Sequence, residues 1–327
     1  MPVGPAPPIP TKVAVPRPGK RGSGPAAGIN VVAVFGAGLM GSGIAQVAAQ
    51  AGYTVNLADV SDKAVQNGMK IIARSVARVA KKVAPGQEDE YVKTVLGNLR
   101  PTTDPSVAVG NAEIVIESIV ENIELKQNLM AALDKHAKPD SIFATNTSAL
   151  LVKEVSEKCP AARKARFGGL HFFNPVPVMR LVEVIRSDTM EDAAYDRLFE
   201  FGESLGKVAV KCKDTPGFIV NRILAAYNRE ATMVVERGDA SFEDVDKAME
   251  LGAGYPMGPF KLFDYVGLDT CNLIGMSWAI RAAQGLVPES MVDPPSNMIP
   301  ELVEEGHFGR KTGRGFYDYS KEKNKLR

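Results

Sequence analysis

Val31-Val32-Ala33-Val34-Phe35-Gly36-Ala37-Gly38-Leu39-Met40-Gly41 is a short apolar run that gives way to a turn of GxGxxG form. The run has the length and β-branched content of an interior strand. The small residues from Ser42 to Ala51 read as the helix that follows. A GxGxxG pattern alone carries little, because glycine-rich loops are common. Between a strand and a helix it acquires a mechanical meaning. The first glycine makes the tight turn, the second lets backbone approach a pyrophosphate, and the third lets helix and strand pack closely. The helix N-terminus adds unpaired N–H groups and the positive end of its dipole.

Outward from this turn the pattern repeats. Thr54 to Ala58, Glu113 to Glu117, Ser141 to Thr145 and Ala165 to Leu170 are further apolar runs, mostly separated by helical stretches. Strands alternating with helices predict a parallel sheet covered on both faces. Beyond about Lys213 the chain reads as helical. In Asp214-Thr215-Pro216 the threonine suits a cap and the proline suits the first helical position. Apolar spacing through Ile219, Ile223, Ala226 and Val234 carries that helix to a stop at Gly238, and Ser241-Phe242-Glu243-Asp244 opens the next. The expected organisation is a leader over residues 1–28, a Rossmann-like α/β dinucleotide-binding domain over 29–213, an all-α C-terminal domain over 214–319 and a tail over 320–327.

Composition agrees with this plan. The 327 residues suit two domains, and a hydrophobic content of 45% provides a core without staples. A net charge of +1 gives no global field that would select nucleic acid or a membrane surface. Cys159, Cys212 and Cys271 are far apart, which argues against a disulfide framework and for a reducing compartment. His136, His171 and His307 have no metal-ligand spacing, so no metal is expected. The longest apolar stretch, near Val31 to Ala51, is broken by Ser42, Gln46, Gln50 and glycines, so no membrane span is expected. The first 28 residues are rich in Pro and Gly, carry Lys12, Arg17, Lys20 and Arg21, and lack Asp and Glu. That composition reads either as an organelle transit peptide or as a plain disordered tail.

Asp59 closes the second apolar run, about 20 residues past the turn, where a carboxylate can accept the ribose hydroxyls of NAD. It would repel the 2′-phosphate of NADP, and Val60 and Ser61 offer no arginine for that phosphate. The cofactor expected is therefore NAD; the plain alternative for Asp59 is a surface acid. Ligands of such sheets lie outside the carboxyl ends of the strands. The polar groups at those ends are Glu117 with Glu121, Asn146-Thr147-Ser148, and His171 with Asn174. A metal-free oxidation of an alcohol needs a base of near-neutral pKa, which histidine supplies. Glu183 interrupts the apolar strand Leu181-Val182-Glu183-Val184-Ile185, a costly place for a carboxylate without a partner. If the chain reverses near Pro177, His171 and Glu183 face each other; otherwise Glu183 points outward from a half-exposed strand.

With these stretches assembled, the chain resembles the short-chain L-3-hydroxyacyl-CoA dehydrogenases of fatty-acid β-oxidation. The resemblance rests on the glycine turn, Val120-Glu121-Asn122, Asn146-Thr147-Ser148, His171 to Met179, Asp214 to Arg222, Gly252 to Thr270, and Lys311-Thr312-Gly313 with Gly315-Phe316-Tyr317. It spans about residues 30 to 319 and is closer to the stand-alone enzyme than to the multifunctional one. It implies conversion of (S)-3-hydroxyacyl-CoA and NAD⁺ to 3-oxoacyl-CoA and NADH. His171 would be the base, Glu183 its partner, and Ser148 and Asn221 the hydrogen-bonding groups for the substrate oxygen. NAD would be held by Gly36, Ala37, Gly38, Leu39, Met40, Gly41, Asp59, Glu121, Lys126, Ser148, Asn174 and Lys311. Ser75 and Lys82, with Ser148, would contact coenzyme A; a homodimer and a mitochondrial matrix location, with cytoplasm as the alternative, are also implied.

The helix from Lys63 to about Ala84 contains no acid, and Lys70, Arg74, Arg78, Lys81 and Lys82 recur on it at three- and four-residue steps. Such a stripe is usually a solvated face, but the phosphates of coenzyme A would also suit it. Two further readings stay open on this sequence. One is an NAD-dependent dehydrogenase of a free hydroxy acid or sugar acid. The other is a non-catalytic NAD-binding protein that keeps the fold.

Overall fold

The computed structural model describes residues 24–292 and 295–320. It divides into two compact units, the first ending at Asp214 and the second opening at Thr215. Residues 1–23 of the expected leader and 321–327 of the expected tail lie outside the described residues. The last leader residues are anchored: the Ala26 N–H donates to the Tyr53 hydroxyl at 2.7 Å.

The strands of the first unit are β1 (Val31–Phe35), β2 (Thr54–Ala58), β3 (Leu99–Thr102), β4 (Ile114–Glu117), β5 (Ile142–Thr145), β6 (Phe167–Phe172), β7 (Leu181–Arg186) and β8 (Val208–Lys213). Its helices are α1 (Leu39–Gln50), α2 (Asp62–Val83), α3 (Glu88–Gly97), α4 (Pro105–Val109), α5 (Ile123–Asp134), α6 (Val152–Val155), α7 (Ala161–Lys164) and α8 (Asp192–Ser204). One sheet holds all eight strands in the order β3-β2-β1-β4-β5-β6-β7-β8. Neighbours β2 and β4 flank β1, so the connections leave it in opposite directions and open a crevice at the carboxyl ends of the strands.

The sheet is mixed rather than wholly parallel, because β7 runs antiparallel to β6. The cause is the connection between them, residues 173–180. A parallel return needs a crossover of about a dozen residues or more. Two strands beyond those expected are present, β3 and β8, which form the sheet edges. Only Leu99 of β3 is buried, and Pro101 sits within it, as edge strands allow.

The interior strands bury side chains on both faces: Val32, Val34, Val55, Leu57, Ile114, Ile116 and Ile142 on one, Ala33, Val115 and Phe143 on the other. Helix α1 begins at Leu39, three residues ahead of the expected Ser42, and is buried from Gly41 to Ala49. Its small residues allow that depth. A Cβ added at Gly43 would stand 2.8 Å from the Val176 side chain, so α1 packs directly on the β6–β7 connection.

The second unit contains α9 (Val220–Glu236), α10 (Phe242–Gly252), α11 (Pro259–Val266), α12 (Leu268–Ala283) and α13 (Met298–Glu304). Ala231, Phe260, Phe263 and Leu268 form its core, with Phe242 and Phe316 packed against them. Asp264 is buried and accepts the backbone N–H groups of Phe316 and Tyr317, each at 2.9 Å, which folds the last turns onto α11. Burial holds its carboxyl above the usual range. No helix among the described residues is long and apolar enough to cross a membrane.

The helix expected to open at Thr215 and Pro216 starts instead at Val220. Gly217 and Phe218 have φ of 75° and 51°, a left-handed conformation that cannot continue into a right-handed helix. Asp214 acts elsewhere, accepting the N–H groups of Val152 and Lys153 at 2.8 Å each and so capping α6 from another part of the chain. Burial pushes its carboxyl up, against the pull of those two donors. Ser241 does cap α10, accepting the Asp244 N–H at 3.1 Å.

This cap assignment gives a stability test. Asp214→Ala is expected to lose about 1–2 kcal/mol in urea denaturation, the usual cost of a lost cap. Thr215→Ala, an exposed residue outside any helix, is expected to stay within about 0.5 kcal/mol of the parent. The reverse ranking would restore Thr215 as the cap.

Candidate active site

The glycine turn is built from two tight positions around an open one. A Cβ at Gly36 would collide with the Ser118 carbonyl, and one at Gly41 with the Gly36 carbonyl. Gly36 also has φ of 101°. At Gly38, by contrast, no atom lies within 4 Å of an added Cβ. The fold requires the outer glycines, while the middle one leaves backbone open to an approaching group. The first turn of α1 has neither a side-chain cap nor an acidic residue, so its N–H groups suit an anion.

Asp59 follows β2 and reaches back to this turn. Its Oδ2 accepts the Ala37 N–H and its Oδ1 the Val60 N–H, both at 2.7 Å. Each oxygen keeps a second lone pair for a ribose hydroxyl. Gly68 of α2 packs on the same turn, since a Cβ there would lie 2.7 Å from the Ala37 Cβ. The sequence reading passed over Gly68, whose only signal is a glycine on a helix face of otherwise apolar residues, Val65, Ile72, Val76 and Ala80.

His171 and Glu183 are direct partners across the β6–β7 pair. His171 Nδ1 lies 2.7 Å from Glu183 Oε2. Glu183 is fully buried and His171 is 4% exposed. A carboxylate accepts, so Nδ1 donates and Nε2 carries the lone pair of the neutral ring. Phe173 packs on the imidazole with ring centroids 4.5 Å apart. The connection beyond Phe173 is tied at its far side by Lys207, which donates to the carbonyls of Val176 and, at 2.7 Å, Met179. Burial pushes the Lys207 ammonium down to about 8. Asn174 lies exposed on this connection.

Asn146 joins the neighbouring strand ends. Its Oδ1 accepts the Phe172 N–H at 2.9 Å, and its amide donates to Ser118 Oγ at 3.3 Å. Ser148 is exposed two residues later, on the same rim. Its N–H and that of Ala149 donate to Glu121 Oε1 at 3.3 Å each, and the Thr147 hydroxyl donates to the same oxygen. Glu121 in turn pairs with Lys126 at 3.1 Å. Lys126 is not a surface lysine: it is 1% exposed and pairs with the fully buried Glu117 at 2.5 Å.

The remaining expected residues belong to other elements. On α2, Ser75 is half-buried, and Lys70, Arg74, Arg78, Lys81 and Lys82 are exposed. Asn221 lies in the first turn of α9 in the second unit. Lys311, also in that unit, is half-exposed and ion-paired with Asp269. Among the described residues no cluster of three or more His, Cys, Asp or Glu could hold a metal ion.

Residues 31–215 match the model of the 3-hydroxyacyl-CoA dehydrogenase NAD binding domain, and residues 217–319 match the C-terminal domain of 3-hydroxyacyl-CoA dehydrogenase. The chain is similar to a probable 3-hydroxyacyl-CoA dehydrogenase of Caenorhabditis elegans, with 48% identity over 295 residues, 90% of this chain and 97% of that protein. It is similar to the mitochondrial hydroxyacyl-coenzyme A dehydrogenase of Homo sapiens, with 48% identity over 291 residues, 88% of this chain and 90% of that one. Among solved structures it is similar to an (S)-3-hydroxybutyryl-CoA dehydrogenase from Ralstonia eutropha, with a TM-score of 0.81, 36% identity, and coverage of 89% of this chain and 99% of that one.

The two lysines provide a contrast in stability. Lys126→Ala strands a buried carboxylate and is expected to cost about 3–5 kcal/mol. Lys311→Ala breaks a surface pair and is expected to cost no more than about 1 kcal/mol. Chemical denaturation of both variants without added ligand reads the difference. Equal effects would contradict the burial assigned to Lys126.

Proposed function

The chain belongs to the 3-hydroxyacyl-CoA dehydrogenase family, and on that premise we propose that it converts (S)-3-hydroxyacyl-CoA and NAD⁺ to 3-oxoacyl-CoA and NADH in fatty-acid β-oxidation. The observation that carries this reading is the His171–Glu183 pair, held at 2.7 Å on the rim that also carries the glycine turn. A buried acid behind an imidazole is the arrangement that orients a general base and stabilises its protonated form.

The turn fits NAD on the chain's own geometry. Gly38 leaves an open approach, and Asp59 is oriented by the turn it serves. Gly36, Ala37, Gly38, Leu39, Met40 and Gly41 would hold the pyrophosphate and Asp59 the adenosine ribose. When bound, the nicotinamide supplies the hydride acceptor.

His171 Nε2 takes the proton of the C3 hydroxyl as that carbon gives up its hydride. Glu183 stabilises the imidazolium that forms, without leaving its own buried position. Such proton transfer to a placed base contributes roughly 10²- to 10⁴-fold. Ser148, kept on the rim by Glu121, donates to the oxygen as it becomes a carbonyl. The roles of Asn221, Lys311, Asn174, Ser75 and Lys82 rest on the family resemblance alone.

A homodimer is part of the same proposal. Leu273, Ile274, Met276 and Ile280 of α12 are exposed apolar side chains on the second unit, and such clusters mark interaction surfaces. A mitochondrial matrix location is supported by the basic, acid-free leader. Light scattering and mass spectrometry of the mature N-terminus read these two points.

The activity is tested by following NADH absorbance with acetoacetyl-CoA and, separately, with free acetoacetate. The reading expects rapid loss of absorbance with the thioester only. His171→Ala is expected to keep its affinity for NADH and to lose turnover by about 10²-fold or more. Turnover of free acetoacetate alone would favour a hydroxy-acid dehydrogenase. NADH binding without turnover of either substrate would favour a non-catalytic protein.

A further inference from the structure

Beneath the rim the chain keeps a carboxylate that the proton and hydride steps do not use. Glu117, the last residue of β4, has no exposed surface. Its Oε1 accepts from Lys126 Nζ at 2.5 Å and from the Ile119 N–H at 2.7 Å. Its Oε2 accepts from the Thr145 hydroxyl at 2.6 Å. Lys126 carries the connection onward to Glu121, and Glu121 holds Thr147, Ser148 and Ala149. An unbroken series of polar contacts therefore runs from the buried end of β4 to the loop that presents Ser148.

One carboxylate would be enough to neutralise Lys126. Two are present, so the ionised cluster carries a net charge of −1. Neutralising Lys126 gives no reason for the second carboxylate, Glu121, which is half-exposed. Its place in the fold supplies one. Asp59 at the end of β2 marks the adenosine side, and the turn after β1 marks the pyrophosphate. Strands β4 and β5 lie on the opposite side of β1 from β2, where the other half of the dinucleotide runs. That half ends in a nicotinamide, which is cationic in NAD⁺ and neutral in NADH.

We propose that Glu117 is a positioning residue acting through Lys126 and Glu121, and that the net negative charge of this triad biases the site toward the oxidised cofactor. The proposal rests on the cofactor reading above and adds a quantity that reading does not contain, the ratio of the two cofactor affinities. At an effective dielectric between about 20 and 80, one unit of charge several ångströms from another changes an equilibrium by about threefold to more than tenfold.

The test measures dissociation constants for NAD⁺ and NADH, without acyl substrate, by calorimetry on the parent, Glu117→Gln and Glu117→Asp. The melting temperature of each ligand-free protein is recorded beside them. Glu117→Gln is expected to raise the NAD⁺ constant relative to the NADH constant by about threefold or more. Glu117→Asp keeps the charge and is expected to leave the ratio within about twofold of the parent, even where it lowers the melting temperature. If Glu117→Gln does not fold, Glu121→Gln removes the same unit of charge from the half-exposed end and is expected to move the ratio in the same direction. A ratio unchanged in the folded charge-removing variant, with both constants moving together, would overturn the proposal and leave Glu117 a structural acid. A parent chain that bound neither cofactor would contradict the cofactor reading itself, and this proposal with it.

Discussion

The hydrogen bond between His171 and Glu183 is the constraint around which the first unit is arranged. Glu183 sits in a strand that is otherwise apolar, with no solvent to satisfy it. A carboxylate there must have a partner, and the antiparallel register of β6 and β7 supplies one directly opposite. A slip of one residue would turn the imidazole to the other face of the sheet. The short connection that forces β7 antiparallel is therefore also what brings base and acid together. Val176 wedges that connection against α1, and Lys207 ties its carbonyls from the β8 side.

The same connection couples the base to the cofactor turn. Gly43, which makes room for Val176, lies two residues past Gly41, the last glycine of the turn. Asn146 adds a second link, from the end of β5 to the backbone of Phe172 and to Ser118. The strand ends thus form one framework in which base, turn and Ser148 loop are held by each other. Burial of so many polar groups demands that each be satisfied, and the cross-links between strand ends are how that demand is met.

Much of this is legible in the sequence. The strand–turn–helix around Gly36 to Gly41 is local, and its glycines follow from close contacts between neighbouring residues. Glu183 was legible because a charge in an apolar strand is a conflict that needs a partner. Glu117 raises the same conflict after Ile114-Val115-Ile116, yet its partner Lys126 belongs to a different element, and no local pattern says that a lysine on a helix is buried. The edges β3 and β8 were missed because an edge strand need not be apolar, and Arg100-Pro101 reads as loop. Thr215 and Pro216 have the chemistry of a helix start, but the left-handed Gly217 and Phe218 delay the helix to Val220. Gly217 is the local mark of that delay, a residue that takes positive φ readily and is poor in a helix interior. Asp214 was likewise read as part of a local start, while its two acceptors serve a helix some 60 residues away in the chain.

The account turns on whether His171 and Glu183 act as one unit, and a double-mutant cycle on kcat measures that directly. Glu183→Gln in the parent is expected to lower kcat by about a hundredfold or more, because the neutral amide neither fixes the ring nor stabilises its protonated form. In the His171→Ala background the same substitution is expected to change kcat by no more than about twofold, since there is no imidazole left to assist. Losses that simply multiply in the double variant would contradict the account and assign Glu183 a role independent of the base.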